Sequence, residues 1–301
     1  MYSIIADNLH KTFDKGVITA LDNVSFSVKK GELFGMIGPD GAGKTSLFRI
    51  LTTLFLADSG NATVENFDVI TQYKEIRNII GYMPGKFSLY QDLTVEENLE
   101  FFASLFNTTI KENYHLIKDI YIHLEPFKNR RAGKLSGGMK QKLALCCALI
   151  HKPEILFLDE PTTGVDPVSR KEFWEMLKRL QQLNITILVS TPYMDEANLC
   201  DRIALIQSGK IMKIDTPLNI IRDYKNTLFA VKAENMLQLI KDMRNMSVVH
   251  SCFAFGDYLH VTLNDQSISA ENFVQKLPEL PYQLTVKEIK PDIEDCFMAL
   301  M

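Results

Sequence analysis

The stretch Gly38-Pro39-Asp40-Gly41-Ala42-Gly43-Lys44-Thr45 decides the fold of this 301-residue chain. It matches the pattern G-x-x-x-x-G-K-[ST] in full, and it lies between the apolar segment Glu32–Ile37 and a helical pattern that begins at Lys44. Glycines allow a sharp turn whose backbone N–H groups converge on a phosphate, and a helix N-terminus adds the positive end of its dipole. The sequence therefore predicts a phosphate-binding loop between a buried strand and a helix.

The side chains of this loop have separate expected roles. Lys44 is expected to reach the β- and γ-phosphates as a mobile cation, and Thr45 is expected to offer its hydroxyl to Mg²⁺. The cofactors that this loop implies are ATP and Mg²⁺. The predicted nucleotide contacts in the segment are Gly38, Pro39, Asp40, Gly41, Ala42, Gly43, Lys44, Thr45 and Ser46.

Two carboxylates follow a second apolar strand, Ile155–Leu158. Asp159 is expected to hold Mg²⁺, often through water, and Glu160 is expected to polarise the attacking water as a general base. A solvated strand end would be the alternative interpretation. The complete phosphate loop in the same chain favours the catalytic one.

Strands and helices alternate along the chain, which predicts a mostly parallel sheet with ligands at the carboxyl ends of its strands. The helix from Lys44 has apolar residues at helical spacing as far as Leu54. Residues from about 86 to 150 are rich in helical pattern, and their aromatic cluster at 101–106 is interpreted as a small helical core rather than a ligand site. We divide the chain into residues 1–225 and a small α+β domain over 226–301.

The segment Leu135–Gln141 (LSGGMKQ) predicts a second anion site, distant in sequence from the first. Ser136 is placed to cap the start of a helix, and Gly137 and Gly138 leave backbone N–H groups exposed there. Alone the pattern is weak. It gains strength because it precedes the strand that ends in Asp159 and Glu160.

The order of these motifs, followed by Gly164-Val165-Asp166-Pro167, resembles the ATP-binding subunit of ABC transporters. The likeness covers about residues 3–220 and is strongest to ATPases of multidrug and daunorubicin-resistance export, in particular the N-terminal half of fused tandem ATPases. It implies an α/β P-loop NTPase cassette with a mostly parallel sheet core, an antiparallel β subdomain and a helical subdomain. The end of the chain, Ile293–Leu300, resembles the ending of the domain appended in that group.

The resemblance also implies how the site is completed. Two cassettes would pack head to tail. Each ATP would lie between the phosphate loop of one subunit and the segment Leu135–Gln141, called the signature, of the other. Ser136 and Gly138 would touch the partner's γ-phosphate, Gly137 would lie between them, and Asp166 would lie in the loop that crosses the dimer interface. Phe13 matches the aromatic residue that stacks on adenine, with an ordinary core strand residue as the alternative.

Two residues that the family carries are missing. Gly85 stands where a Gln is expected to contact Mg²⁺ and the attacking water, and Pro192 stands where a His is expected to contact the γ-phosphate. We therefore predict slow hydrolysis at this chain's own site and pairing with a second, different ATPase subunit. A homodimer with compensating groups stays open as the alternative.

Composition and the ends of the chain restrict the partners. The net charge of −4 gives no basic excess of the kind that nucleic-acid binders show, so we expect no nucleic-acid partner. Five cysteines without a CxxC arrangement favour a reducing cytosol over a disulfide framework. No signal peptide and no run of about 18 apolar residues is apparent, so a separate membrane permease would supply the spans and this subunit would lie on the cytoplasmic face of the membrane.

The segment Phe87–Asn98 matches the family's region that docks on the permease, and Thr94 with Glu97 also predicts a helix-capping box. Two other functions stay open at this stage. One is a non-hydrolysing regulatory cassette, which Gly85 and Pro192 favour. The other is a soluble ABC ATPase outside transport, which the single cassette without a coiled-coil insertion disfavours.

Overall fold

The computed structural model describes residues 1–265, 268–276 and 283–301. The chain forms two compact units, Met1–Pro217 and Leu218–Met301. The boundary lies shortly before the one placed by sequence at residue 225.

The first unit contains ten strands and six α-helices in its described residues, besides short 3-10 turns. The strands are β1 (Tyr2–Phe13), β2 (Ile18–Lys29), β3 (Leu33–Ile37), β4 (Ser59–Val64), β5 (Phe67–Asp68), β6 (Ile80–Met83), β7 (Ile155–Asp159), β8 (Thr186–Thr191), β9 (Arg202–Gln207) and β10 (Lys210–Asp215). The helices are α1 (Lys44–Leu51), α2 (Tyr73–Ile79), α3 (Val95–Leu105), α4 (Ile110–Tyr121), α5 (Gly137–Leu149) and α6 (Pro167–Gln182). Among the helices of the whole described chain, none is both long and apolar enough to cross a membrane.

A six-stranded sheet with the order β10-β9-β3-β8-β7-β6 forms the centre of this unit. All its pairings are parallel except that of the edge strand β10 with β9. Every residue of β3, β7 and β8 is buried, as expected for parallel strands that are covered on both faces. The predicted parallel sheet and P-loop fold are confirmed.

The other two layers of the unit match the expected subdomains. An antiparallel sheet has the order β2-β1-β4-β5, and helices α3, α4 and α5 form a helical region. Gly81 allows α5 to pack closely on β6, because a Cβ at this position would lie 2.3 Å from the carbonyl oxygen of Ala148. The capping box predicted at Thr94 and Glu97 is present, with hydrogen bonds of 2.7 and 3.2 Å.

Helix α1 is shorter than the apolar spacing predicts. It ends at Leu51, and Thr53 has a left-handed φ of +63°. Leu54 is consequently 53% exposed rather than part of the buried face of the helix. The extension to Leu54 was wrong because a turn in the backbone overrides the side-chain periodicity.

The second unit has the strand–helix–strand–strand–helix–strand order of ferredoxin-like domains. Its elements are α7 (Pro217–Arg222), β11 (Leu228–Lys232), α8 (Met236–Asn245), β12 (Val249–Phe255), β13 (Tyr258–Leu263), α9 (Ala270–Lys276), β14 (Thr285–Ile289) and α10 (Ile293–Leu300). The sheet is antiparallel with the order β12-β13-β11-β14, and Phe229, Val231, Leu239 and Phe273 contribute to its core. The sequence also assigned Leu277 to a helix and Tyr282 to a strand, and both lie outside the described residues.

Candidate active site

The phosphate-binding loop connects β3 to α1 and is pressed against two neighbouring strands. A Cβ at Gly38 would lie 2.1 Å from the carbonyl oxygen of Ile206, and a Cβ at Gly43 would lie 2.2 Å from that of Ala20. Gly41 has open space around it, but its φ of +77° is a conformation that side chains rarely adopt. Glycine is therefore favoured at positions 38 and 43 by the close approach of a neighbouring backbone, and at position 41 by the backbone conformation.

Lys44 lies at the start of α1 and is almost completely buried. Its Nζ donates hydrogen bonds to the carbonyl oxygens of Gly38 (2.7 Å) and Pro39 (2.9 Å). It also lies 3.1 Å from Oε1 of Glu160. Three oxygen partners compensate the loss of hydration that burial of an ammonium group causes. The structure thus brings the loop lysine and the predicted general base into direct contact.

Ser190, at the end of β8, fixes both carboxylates at the end of β7. Its Oγ donates to Oδ1 of the buried Asp159 at 2.7 Å. The backbone N–H of Glu160 donates to the carbonyl oxygen and Oγ of Ser190 at 3.1 and 3.0 Å. Glu160 has a left-handed φ of +50°, which is uncommon outside glycine, so the chain turns sharply at the predicted base. Ser190 belongs to none of the motifs described in the sequence and stands two residues before Pro192.

The two positions that depart from the family pattern lie at the same edge of the sheet. A Cβ at Gly85 would lie 3.1 Å from the carbonyl oxygen of Asp159 and 3.8 Å from its Oδ2. Pro192 directly follows Thr191, whose carbonyl oxygen accepts a hydrogen bond from Gly38 N–H at 3.3 Å.

Tyr82 lies near Asp159 on the neighbouring strand β6. Its burial, together with the negative charge of Asp159, raises the pKa of Tyr82 to about 12, so this phenol stays neutral.

The signature segment opens α5 as predicted. Ser136 caps the helix by accepting a hydrogen bond from the backbone N–H of Met139 at 3.3 Å. A Cβ at Gly137 would lie 3.3 Å from the carbonyl oxygen of Gly164, and one at Gly138 would lie 2.7 Å from Oγ of Ser169. The signature therefore packs against the loop that contains Asp166 in the same chain.

Asp166 and Phe13 have local roles that the structure describes. The carboxylate of Asp166 caps α6 by accepting from Ser169 N–H at 3.0 Å, and this hydrogen bond lowers the pKa of Asp166. Phe13 ends β1 and is half-buried, with its ring edge-on to Phe55 at 5.9 Å between centroids. Neither role assigns a contact to ATP.

Comparisons with known proteins agree on the family. The family described as ABC transporter matches residues 21–163. The ABC transporter ATP-binding protein NatA of Bacillus subtilis is 38% identical over 202 residues, which cover 66% of this chain and 82% of NatA. This chain belongs to the ABC transporter family.

Other relatives of the cassette carry names that refer to drugs. The probable multidrug ABC transporter ATP-binding protein YbhF of Escherichia coli is 36% identical over 99% of this chain and 52% of YbhF. The daunorubicin resistance ATP-binding protein DrrA2 of Streptomyces coeruleorubidus is 40% identical over 72% of this chain and 67% of DrrA2. The chain thus spans about half the length of YbhF.

Solved ABC cassettes share the fold of the first unit. The dimeric, post-hydrolysis structure of the cassette MJ0796 bound to ADP and phosphate has a TM-score of 0.64 at 26% identity. The match covers 71% of this chain and 98% of that cassette.

A buried polar network lies at the carboxyl ends of β7 and β8 in this ABC cassette, and sequence reasoning missed it. The carboxylate of Glu196 is 2% exposed and accepts hydrogen bonds from three parts of the chain. Its donors are Thr162 Oγ1 at 2.9 Å, Thr191 Oγ1 at 2.5 Å and Arg170 Nε at 3.1 Å. The network joins the end of β8 to the loop after β7 and to the first turns of α6. The only signal in the sequence was Glu196 itself, four residues after Pro192.

We predict that Glu196→Ala lowers the free energy of unfolding by about 3 kcal/mol, because it leaves two buried hydroxyls without their acceptor and leaves Arg170 with only the exposed Asp195 as its acidic partner. Asp195→Ala is the matched control. Asp195 also contacts Arg170, but its side chain is 76% exposed, so the change should be below about 1 kcal/mol. Urea unfolding followed by fluorescence of Trp174, the single tryptophan, measures both. Equal losses in the two variants would contradict the assignment.

Proposed function

We propose that this chain is the ATP-hydrolysing subunit of an ABC transporter that exports its cargo through a separate membrane permease. The observation that carries the proposal is the 3.1 Å contact between Lys44 and Glu160 at the edge of the sheet where the phosphate loop ends. It joins a phosphate-binding cation to a carboxylate suited to general-base catalysis. The names of two relatives, which refer to multidrug transport and to daunorubicin resistance, support export.

The proposed mechanism assigns each group one task. The backbone N–H groups of the phosphate loop and Lys44 hold the β- and γ-phosphates, with Lys44 exchanging its carbonyl partners for phosphate oxygens. Mg²⁺, when bound, neutralises charge on these oxygens. The hydroxyl of Thr45 and the carboxylate of Asp159 are oxygen ligands of the kind Mg²⁺ prefers, and Ser190 orients the carboxylate. Glu160 accepts the proton of the attacking water.

We expect Glu160→Gln to lower ATP turnover by about 100-fold or more while the Kd for ATP stays within about twofold, because the amide keeps the shape but is no base. Phosphate release and equilibrium binding of a fluorescent ATP analogue measure the two effects. Glu154→Gln, at the opposite end of β7, is the control and should leave turnover unchanged. If wild type shows no phosphate release above the protein-free background, the chain is instead a non-hydrolysing regulatory cassette, which Gly85 and Pro192 favour; equal, measurable rates for wild type and Glu160→Gln would refute Glu160 as the base.

The second ATP-binding subunit is proposed to be a different chain. Gly85 and Pro192 remove two groups that would sense the γ-phosphate, whereas Ser136 and Gly138 are intact and can complete a partner's site. Faster turnover would then take place at the partner's phosphate loop. A homodimer is the competing arrangement.

Restoring the missing imidazole tests the slow-site proposal. Pro192→His should raise the ATP turnover of the isolated chain by on the order of tenfold or more, because one preorganised donor to a developing oxyanion has an effect of that size. Pro192→Ala is the control, since it removes the ring constraint without adding a donor. Steady-state phosphate release by the purified chain, without a second ATPase subunit, measures it. Cooperative wild-type turnover at ordinary ABC rates would overturn hetero-pairing.

The permease is proposed to dock at Phe87–Asn98, with the subunit peripheral on the cytoplasmic face of the cell membrane. A groove of about 350 Å³ lies beside this segment, and Leu89, Phe102, Phe106 and Tyr82 contribute to its apolar lining. Asn98 is fully buried and fixes the segment, because its amide donates to the carbonyl oxygens of Tyr90 and Thr94. Residues 226–301 are proposed to be an accessory domain that stabilises the dimer or regulates it.

Asp92→Lys should lower the ATPase stimulation by the permease by on the order of tenfold, because a reversed charge opposes docking, while ATP binding to the isolated chain stays unchanged. Asp92 is the suitable position because it is exposed, whereas Glu97 belongs to a capping box whose loss would disturb α3. Glu100→Lys, exposed on α3 beyond the docking segment, is the control. Loss of ATP binding by Asp92→Lys would count against a docking role.

A further inference from the structure

We propose that Asp58 is a positioning residue for adenine recognition, which holds the end of β1 so that Phe13 presents its ring to the base. This inference rests on the proposed function, because it takes ATP as the ligand and Phe13 as its stacking partner. Asp58 lies in the connection between α1 and β4, and it belongs to none of the motifs described in the sequence.

The carboxylate of Asp58 clasps the two residues that precede Phe13. Oδ2 accepts hydrogen bonds from the backbone N–H of Thr12 at 2.6 Å and from its hydroxyl at 2.8 Å. Oδ1 accepts from Lys11 Nζ at 2.7 Å. The backbone N–H of Asp58 in turn donates to the carbonyl oxygen of His10 at 2.9 Å. Side chain and main chain of one residue thus fix three consecutive residues of β1.

The clasp bears directly on the ring of Phe13. Lys11 Nζ, held by Asp58, lies 5.6 Å from the centroid of this ring, within the range of a cation–π contact. Phe55, three residues before Asp58, meets the same ring edge-on. One short segment of chain therefore fixes the backbone before Phe13, the cation beside it and one edge of the ring. None of these contacts of Asp58 involves the phosphate loop. A change at Asp58 should therefore affect the binding of a ligand only if that ligand carries a base.

The hydrogen-bond donors around Asp58 favour the ionised form of its carboxyl group. The ammonium of Lys11, with the N–H and hydroxyl of Thr12, lowers the pKa of Asp58 to about 2. The carboxylate is therefore ionised throughout the range in which the protein works. Because Asp58 is exposed, its contribution lies in geometry and hydrogen bonding rather than in a buried ion pair.

The test compares ATP with inorganic tripolyphosphate, which has the phosphates but no base. Isothermal titration of the full chain with each ligand gives Kd values for wild type, Asp58→Ala, Asp58→Asn, Phe13→Ala and the double variant Asp58→Ala with Phe13→Ala. Asp68→Ala is the matched control. Asp68 makes the same kind of contacts, with the N–H and hydroxyl of Thr71 at 2.7 and 2.8 Å, but at β5 and without a link to Phe13.

We expect Phe13→Ala to weaken ATP binding by roughly five- to 100-fold, the range of base–aromatic stacking, and Asp58→Ala to weaken it by about fivefold. Tripolyphosphate affinity should stay within about twofold in both. Asp58→Asn should fall between Asp58→Ala and wild type, because the amide oxygen keeps an acceptor for Thr12 but loses the charge that attracts Lys11. In the Phe13→Ala background, Asp58→Ala should have no further effect.

Each other outcome overturns the inference. Equal weakening of ATP and tripolyphosphate by Asp58→Ala would assign Asp58 to general support of the loop. An effect that persists without Phe13, the same effect from Asp68→Ala, or no effect at all would separate Asp58 from base recognition. Wild-type protein that binds neither ligand would instead refute the proposed nucleotide site itself. Protein that binds tripolyphosphate as tightly as ATP would retain the phosphate site and remove the base-stacking role of Phe13.

Discussion

The register of three parallel strands is the constraint on which the rest of the structure depends. Ile37 pairs with Thr191, and Asp159 pairs with Ser190, so β3, β8 and β7 end at one edge of the sheet. Parallel strands require long crossover connections, which is why the groups that meet here are far apart in sequence. The buried Lys44 depends on this register, because one of its three oxygen partners is the carboxylate that follows β7. A shift of β7 relative to β3 would remove the carboxylate partner of this buried ammonium group.

Local patterns predicted much of the fold and of the candidate site. The phosphate loop, the strand that ends in two carboxylates and the capping of α5 by Ser136 each depend on neighbouring residues, so spacing alone located them. The clasp of Asp58 and the network of Glu196 could not be found in this way, because their partners come from separate elements that only the folded chain brings together. For helix α1 the local pattern itself gave a wrong prediction, because the apolar spacing continues to Leu54 although the backbone has already turned at Thr53.

The structure gives a steric reason for glycine at position 85, where a Gln is expected from the family pattern. The position is adjacent to Asp159, and a Cβ there would lie 3.1 Å from the carbonyl oxygen, closer than most side chains approach a neighbour. Any larger residue would require this strand end to shift by a few tenths of an ångström. A glycine therefore fits this position more closely than a residue with a side chain would, whereas Pro192 follows the end of β8.

The two glycines of the signature allow the start of α5 to pack directly on the loop that contains Asp166. Gly137 and Gly138 leave no free space between the start of α5 and the 164–169 segment, where Ser169 Oγ would lie 2.7 Å from an added Cβ. Protein interiors packed this closely transmit displacement rather than absorb it. The signature and the loop around Asp166 are therefore packed so closely that we expect a displacement of one to move the other.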